Sequence, residues 1–235
     1  MKRTSLCSYF AFLSLGIACF SFTACGGSDD DDNASGGGNG SAPANVVAVD
    51  LGLPSGLKWA NMNIGANKPE DYGNYYAWGE TTTKSVYSHS NIKYDWELTA
   101  ANTKYNPNDG KTVLEAADDA AIANWGSPWR MPTLQDMQEL VDNCTWEATS
   151  LNSVPGYKVT GKNGNTIFFP AAGHYNDETL SKSGTHCDYW TSTLENEGTS
   201  TYSKAWDLTM SISRGAPKID DDKRDMGLPI RPVRK

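Results

Sequence analysis

Leu134, Met137, Val141 and Cys144 are apolar at i, i+3, i+7 and i+10, a spacing that predicts one helical stripe facing a core. The entry to that helix is marked as well. Pro132 lacks an N–H and pushes Met131 out of the helical region, so the chain arrives extended. Thr133 follows as an N-cap, with Asp136 three residues on to bond back. A second short helix is expected over Thr112–Ala123, from the Thr112/Glu115 start and the alanine-rich body behind it.

The remaining patterns are those of strands. Val46–Leu51 and Leu57–Ile64 read as a hairpin about the turn at 52–56. Tyr75–Trp78, bounded by glycines, reads as a short strand; its row of aromatics suggests a sugar-stacking platform, but core is the reading adopted. Thr81–Gly110 has no sustained period and is expected to be a long surface excursion. Tyr157–Thr160 and Thr166–Phe169 flank Asn163-Gly164 as a second hairpin. Tyr189–Leu194 is a further strand. In Ala205–Ile212, Trp206, Leu208, Met210 and Ile212 alternate with Asp207, Thr209 and Ser211, as in a half-buried strand. Arg214–Asp225 reads as a charged loop, and the segment after it, with Pro229 and Pro232, as an edge strand at most. These elements add up to an α+β domain of short antiparallel strands, two short helices and long loops.

The first 45 residues do not belong to that domain. Lys2 and Arg3 precede the apolar run Leu6–Phe22, which ends in Phe22-Thr23-Ala24-Cys25. This is the pattern of an export signal and resembles the lipobox of bacterial lipoproteins, with Phe22 where leucine is usual. Residues 1–24 are therefore expected to be a signal peptide and Cys25 the lipidated residue. Residues 25–45, rich in Gly and Ser and carrying Asp29–Asp32, form a tether that cannot build a core. The acidic run reads either as a solvated spacer or as a signal for surface export; the second is favoured. Residues 46–235 remain as one domain.

Charge and cysteine usage narrow the function. The net charge of −8 counts Lys2 and Arg3, so the exported part is more acidic still. An acidic domain without a basic stripe disfavours nucleic acid as a partner and leaves the lipid on Cys25 as the membrane contact. Cys144 and Cys187 remain in the domain, either as a disulfide or as two separate small hydrophobes. No catalytic set stands out, so no enzyme activity and no cofactor are expected. Cys187 with His174 is the one dyad left open, because adjacent His186 and Cys187 would point to opposite faces of a strand. His174, Asp177, Glu178, His186 and Asp188 match no metal-ligand spacing and read as polar loop residues. Asp220–Asp222 lack the spacing of a calcium loop and read as a solvated turn, so no metal is expected. No carboxylate pair can be singled out among 28 acidic residues, which disfavours a hydrolase.

Several blocks taken in order carry a family resemblance. V-D-L-G-L-P-S-G-L-K-W-A (49–60), Y-G-N-Y-Y-A-W-G-E (72–80), N-W-G-S-P-W-R-M-P-T (124–133), F-F-P-A-A-G (168–173), Y-W-T-S-T (189–193) and I-R-P-V-R (230–234) together resemble the Fibrobacter succinogenes major paralogous domain of Bacteroidetes surface lipoproteins. The Trp-Arg-Met-Pro-Thr helix entry also resembles that of formylglycine-generating-type and other C-type-lectin-like domains. The resemblance implies a C-type-lectin-like fold with a loop-built ligand face. It also implies a role in adhesion or in binding a glycan or a cell-surface protein, with a structural part in a surface appendage as the alternative. The candidate ligand positions it implies lie between the Tyr189-Trp190 and Ile230-Arg231-Pro232 blocks: Glu195, Asn196, Tyr202, Lys204, Arg214, Lys218, Asp220 and Arg224.

Overall fold

The computed structural model describes residues 40–97, 100, 102–197 and 202–235. The expected signal peptide, Cys25 and the greater part of the tether lie outside the described residues. The opening hairpin forms as the β-branched runs predict: β1 (Ala48–Asp50) pairs antiparallel with β2 (Lys58–Ala60), Val49 opposite Trp59. Gly52 and Gly56 both take positive φ, which allows the reversal between the strands.

The first helix, α1 (Ala120–Trp125), starts later than the Thr112 signal indicated. Asp119 is its cap, accepting from the N–H groups of Ala121 and Ile122 at 2.8 and 3.1 Å. Upstream, the Leu114 N–H donates to the Ser192 carbonyl (2.9 Å) and the Leu194 N–H to that of Thr112 (2.8 Å). Strand partners thus satisfy the backbone groups that a helix start at Thr112 would have used. The second helix, α2 (Leu134–Asn143), has the predicted box: Thr133 Oγ1 accepts from the Asp136 N–H, and the Asp136 carboxylate from the Thr133 N–H. Its buried side chains are Met137 and Leu140, with Val141 and Cys144 half-covered, so the stripe is rotated slightly toward Leu140.

Among the described residues, eight strands follow before the closing segment. β3 (Thr145–Leu151), which the sequence reading missed, pairs with β4 (Val154–Thr160), and β4 with β5 (Thr166–Pro170) across the expected Asn163-Gly164 turn. β6 (His174–Asn176) and β7 (Thr179–Ser181) make a small hairpin. β8 (His186–Leu194), β9 (Lys204–Ser211) and β10 (Lys218–Lys223) form an antiparallel sheet with β9 in the centre. β10 replaces half of the charged loop expected at 214–225, because the polar run registers residue by residue against β9. Finally β11 (Val233–Arg234) pairs with β2, Val233 opposite Trp59, and completes the first sheet. The fold is therefore α+β, with two short helices and mostly antiparallel strands in small sheets. Among the described residues no helix is long and apolar enough to cross a membrane.

One core cluster packs Met137 and Leu140 of α2 with Phe169, Tyr189 and Leu208; another gathers Trp78, Tyr105, Trp125, Trp129 and Trp190. Tyr75–Trp78 is buried, as the core reading had it, with only Tyr76 in a bridge, to Leu228. The 81–110 excursion is long and irregular, but Tyr87 and Tyr105 anchor it in the interior. Arg231 lies at the centre, fully buried. It donates to Asn63 Oδ1 (2.8 Å) and to the carbonyls of Ala60 (3.2 Å) and Phe168 (2.8 Å), over the Phe169 ring. The guanidinium ties the closing segment to the first hairpin and to β5 in one step.

Candidate functional site

Side chains alternate across the β8–β9–β10 sheet. Cys187, Tyr189, Leu208 and Met210 face the core beneath α2. The opposite face carries Asp188 on β8, Asp207 and Thr209 on β9, and Asp220 and Asp222 on β10. In a half-buried strand this second set would meet water. Here Asp207 is 0% exposed, set between Trp190 on one neighbouring strand and Asp220 on the other. Neither of its carboxylate oxygens has a hydrogen-bond partner.

Its neighbours are better provided for. Asp188 is held by His174 Nδ1 at 2.8 Å and by the Thr209 hydroxyl at 2.7 Å. Asp220 pairs with Lys218 at 2.6 Å, and Asp221 pairs with Lys204. Burial and the nearby Asp222 raise the Asp207 carboxyl well above the usual range, and burial with Asp188 raises Asp222 to about 6. These acids line a cavity of ≈ 110 Å³ that also touches Thr209 and the exposed Lys182.

A second concavity lies at the far end of the β9–β10 hairpin. Its turn, Gly215–Pro217, faces Trp146 and Ala148 of β3, Tyr157 of β4 and Val141 of α2 across a groove of ≈ 470 Å³. Trp146 and Tyr157 meet edge-on, ring centres 6.4 Å apart. Exposed Arg214 stands next to this turn in the chain.

The eight predicted ligand positions divide. Lys218 and Asp220 are neighbours on one face of β10 with Arg214 at the nearby turn, whereas Lys204 lies at the opposite end of the β9–β10 ladder, across from Lys223. Asn196 is exposed beyond the other end of β8, while Glu195 is buried there and accepts from the Glu197 N–H at 2.7 Å. Tyr202 is half-buried against the tryptophan-rich cluster. Arg224 corrects the expectation. It is fully buried, its guanidinium 4.9 Å from the Trp78 ring centre, and it donates to the carbonyls of Tyr202 (2.9 Å) and Tyr94 (3.2 Å). It is a staple for the 81–110 excursion, not part of a ligand face.

The cysteines are free rather than joined. Cys144 caps the C-terminus of α2, and Cys187 lies wholly within the core on β8. Burial raises both thiols, Cys144 to about 11. Cys187 also faces away from Asp188 and its partner His174, which separates the two groups of the dyad left open by the sequence. The acids that matter on the sheet, Asp188, Asp207 and Asp222, were missed as a set. The period-2 spacing of 218, 220 and 222 against 205, 207 and 209 was the available signal. The chain matches no protein-family model, no curated protein and no solved structure.

Proposed function

We propose that this chain is an outer-membrane lipoprotein, lipid-anchored through Cys25 and exposed at the cell surface, whose folded region binds a glycan or a protein. The resemblance to the Fibrobacter succinogenes major paralogous domain and to C-type-lectin-like architecture supports that reading. One structural observation carries it further: the β9–β10 turn forms one wall of the ≈ 470 Å³ groove whose other lining includes Trp146 and Tyr157. A groove of that size, with aromatic faces and mobile-length polar side chains such as Arg214 at its rim, suits a sugar ring or an extended peptide residue.

The test is binding of the purified chain to a glycan array and to host surface proteins, with Trp146→Ala and Arg214→Ala beside it. Saturable binding that both substitutions weaken, with the fold intact, supports the module. Absence of binding, together with co-purification with appendage or outer-membrane proteins, would favour a structural or assembly component instead. Protease shaving of intact cells tests the address: a domain protected until the cells are lysed would face the periplasm.

A further inference from the structure

Asp207 poses a physical problem that the fold leaves unsolved. A carboxylate removed from water and given no hydrogen bond costs several kcal/mol. A proton removes the charge but leaves an O–H donor and a carbonyl acceptor equally without partners. Lys182 borders the cavity, yet among the described residues it forms no ion pair with these acids. A cation in the cavity would meet both needs of Asp207 at once, balancing its charge and coordinating oxygens that form no hydrogen bond.

The donor set says what kind. The cavity offers carboxylate oxygens from Asp207, Asp220 and Asp222 and the Thr209 hydroxyl, with no sulfur. The imidazole nearby, His174, already has Nδ1 committed to Asp188. Oxygen-only donors with excess negative charge select hard divalent cations over zinc or copper. Among the described residues no three His, Cys, Asp or Glu side chains form a ready-made metal cage. An ion here is held by one or two carboxylates with water completing its shell, the manner in which magnesium and many calcium ions are bound. A cavity of ≈ 110 Å³ holds an ion with two or three waters, each of roughly 30 Å³.

We propose that the acidic cavity between β8, β9 and β10 is a binding site for a hard divalent cation, built on the buried carboxylate of Asp207 with Asp222 as its second ligand. Asp188, fixed by His174 and Thr209, acts as an outer acceptor for the ion's water. The ion screens the facing acids of β9 and β10 and so fastens the edge strand β10 to the sheet. None of the residues lining the aromatic groove lines this cavity, so the inference does not rest on the proposed ligand reading.

The experiment is calorimetric titration of the chelator-treated, purified full chain with calcium and, separately, magnesium chloride near neutral pH, paired with thermal melts. The expected result is one ion per chain for at least one of the two metals and a rise in Tm on binding. Asp207→Asn should weaken binding on the order of 100-fold, while the control Asp142→Asn, on the exposed side of α2, leaves it unchanged. If Asp207→Asn does not fold, Asp222→Asn at the cavity's rim takes its place and should weaken binding about tenfold. No heat and no Tm shift with either metal overturns the proposal. So does binding that persists undiminished in the variant, since it would then belong to another acidic run such as Asp29–Asp32.

Discussion

Asp207 of β9 stands directly opposite Asp220 of β10, two carboxylates in register on one face of an antiparallel ladder. Like charges so placed weaken a strand pair by some tenths of a kcal/mol. With Asp222 diagonal to Asp207 and Asp188 on β8, the ladder concentrates negative charge, met by Lys218 at Asp220, Lys204 at Asp221 and His174 at Asp188.

This arrangement sets a pH dependence. Asp222 has a folded-state value of about 6 against an ordinary 3.8, and Asp207 is raised as well. The folded chain therefore binds protons more tightly than the unfolded one. The stabilisation is full below the ordinary carboxylate value and is lost as pH rises toward about 6. In chelator-treated protein, Tm should fall across that window, and Asp222→Asn should flatten the slope. A wild-type Tm that rises steadily over the same window would contradict it. Asp118, lowered to about 2 by Lys104 and Lys93 against its burial, has the opposite sign but acts at more acidic pH.

Arg224 predicts a local effect. Its guanidinium spans carbonyls at Tyr94 and Tyr202 and stacks on Trp78, so Arg224→Lys keeps the charge and loses the fork. A loss of about 2–3 kcal/mol is expected in urea unfolding. Hydrogen exchange should accelerate first in 81–110, ahead of the sheets; uniform acceleration would count against the staple.

Asp119 joins two elements through one carboxylate. One oxygen caps α1, and the other accepts the Met131 N–H at 2.9 Å. Asp119→Ala should cost about 2–4 kcal/mol, beyond an ordinary cap of about 1, because a buried N–H is orphaned as well. A loss confined to about 1 kcal/mol would show that the Met131 bond contributes nothing.

The thiols predict insensitivity to redox conditions. Reductant should leave Tm unchanged, and Cys187 should resist alkylation until the chain unfolds, being buried with a raised thiol value. Rapid labelling of Cys187 in the folded chain would mean that β8 opens.

Much of the scaffold was legible because it is written in local chemistry. Thr133 and Asp136 announce α2, Asn163-Gly164 announces the β4–β5 hairpin, and Trp206–Ile212 alternates as β9 does. What failed was decided by distant partners. Thr112–Leu114 looks like a helix start and is taken up by β8 backbone; 218–223 looks like a solvated run and is a strand because β9 is there to pair with it. The acidic site went unseen for the same reason. Asp207 sits in the polar half of a clean alternation, and nothing local to it says that both faces of its strand are covered.

Strand β11 and the residues just before it carry a temporal consequence. Ile230 accepts from Ile64, Pro232 from Ala60, and Val233 pairs with both Trp59 and Arg130, while Arg231 fills the centre. A chain emerging in order from its N-terminus has made the first hairpin, α1 and α2 long before these partners exist. The first sheet must wait with an open edge, and Asn63 without its guanidinium. Closure is thus the last event rather than a gradual one.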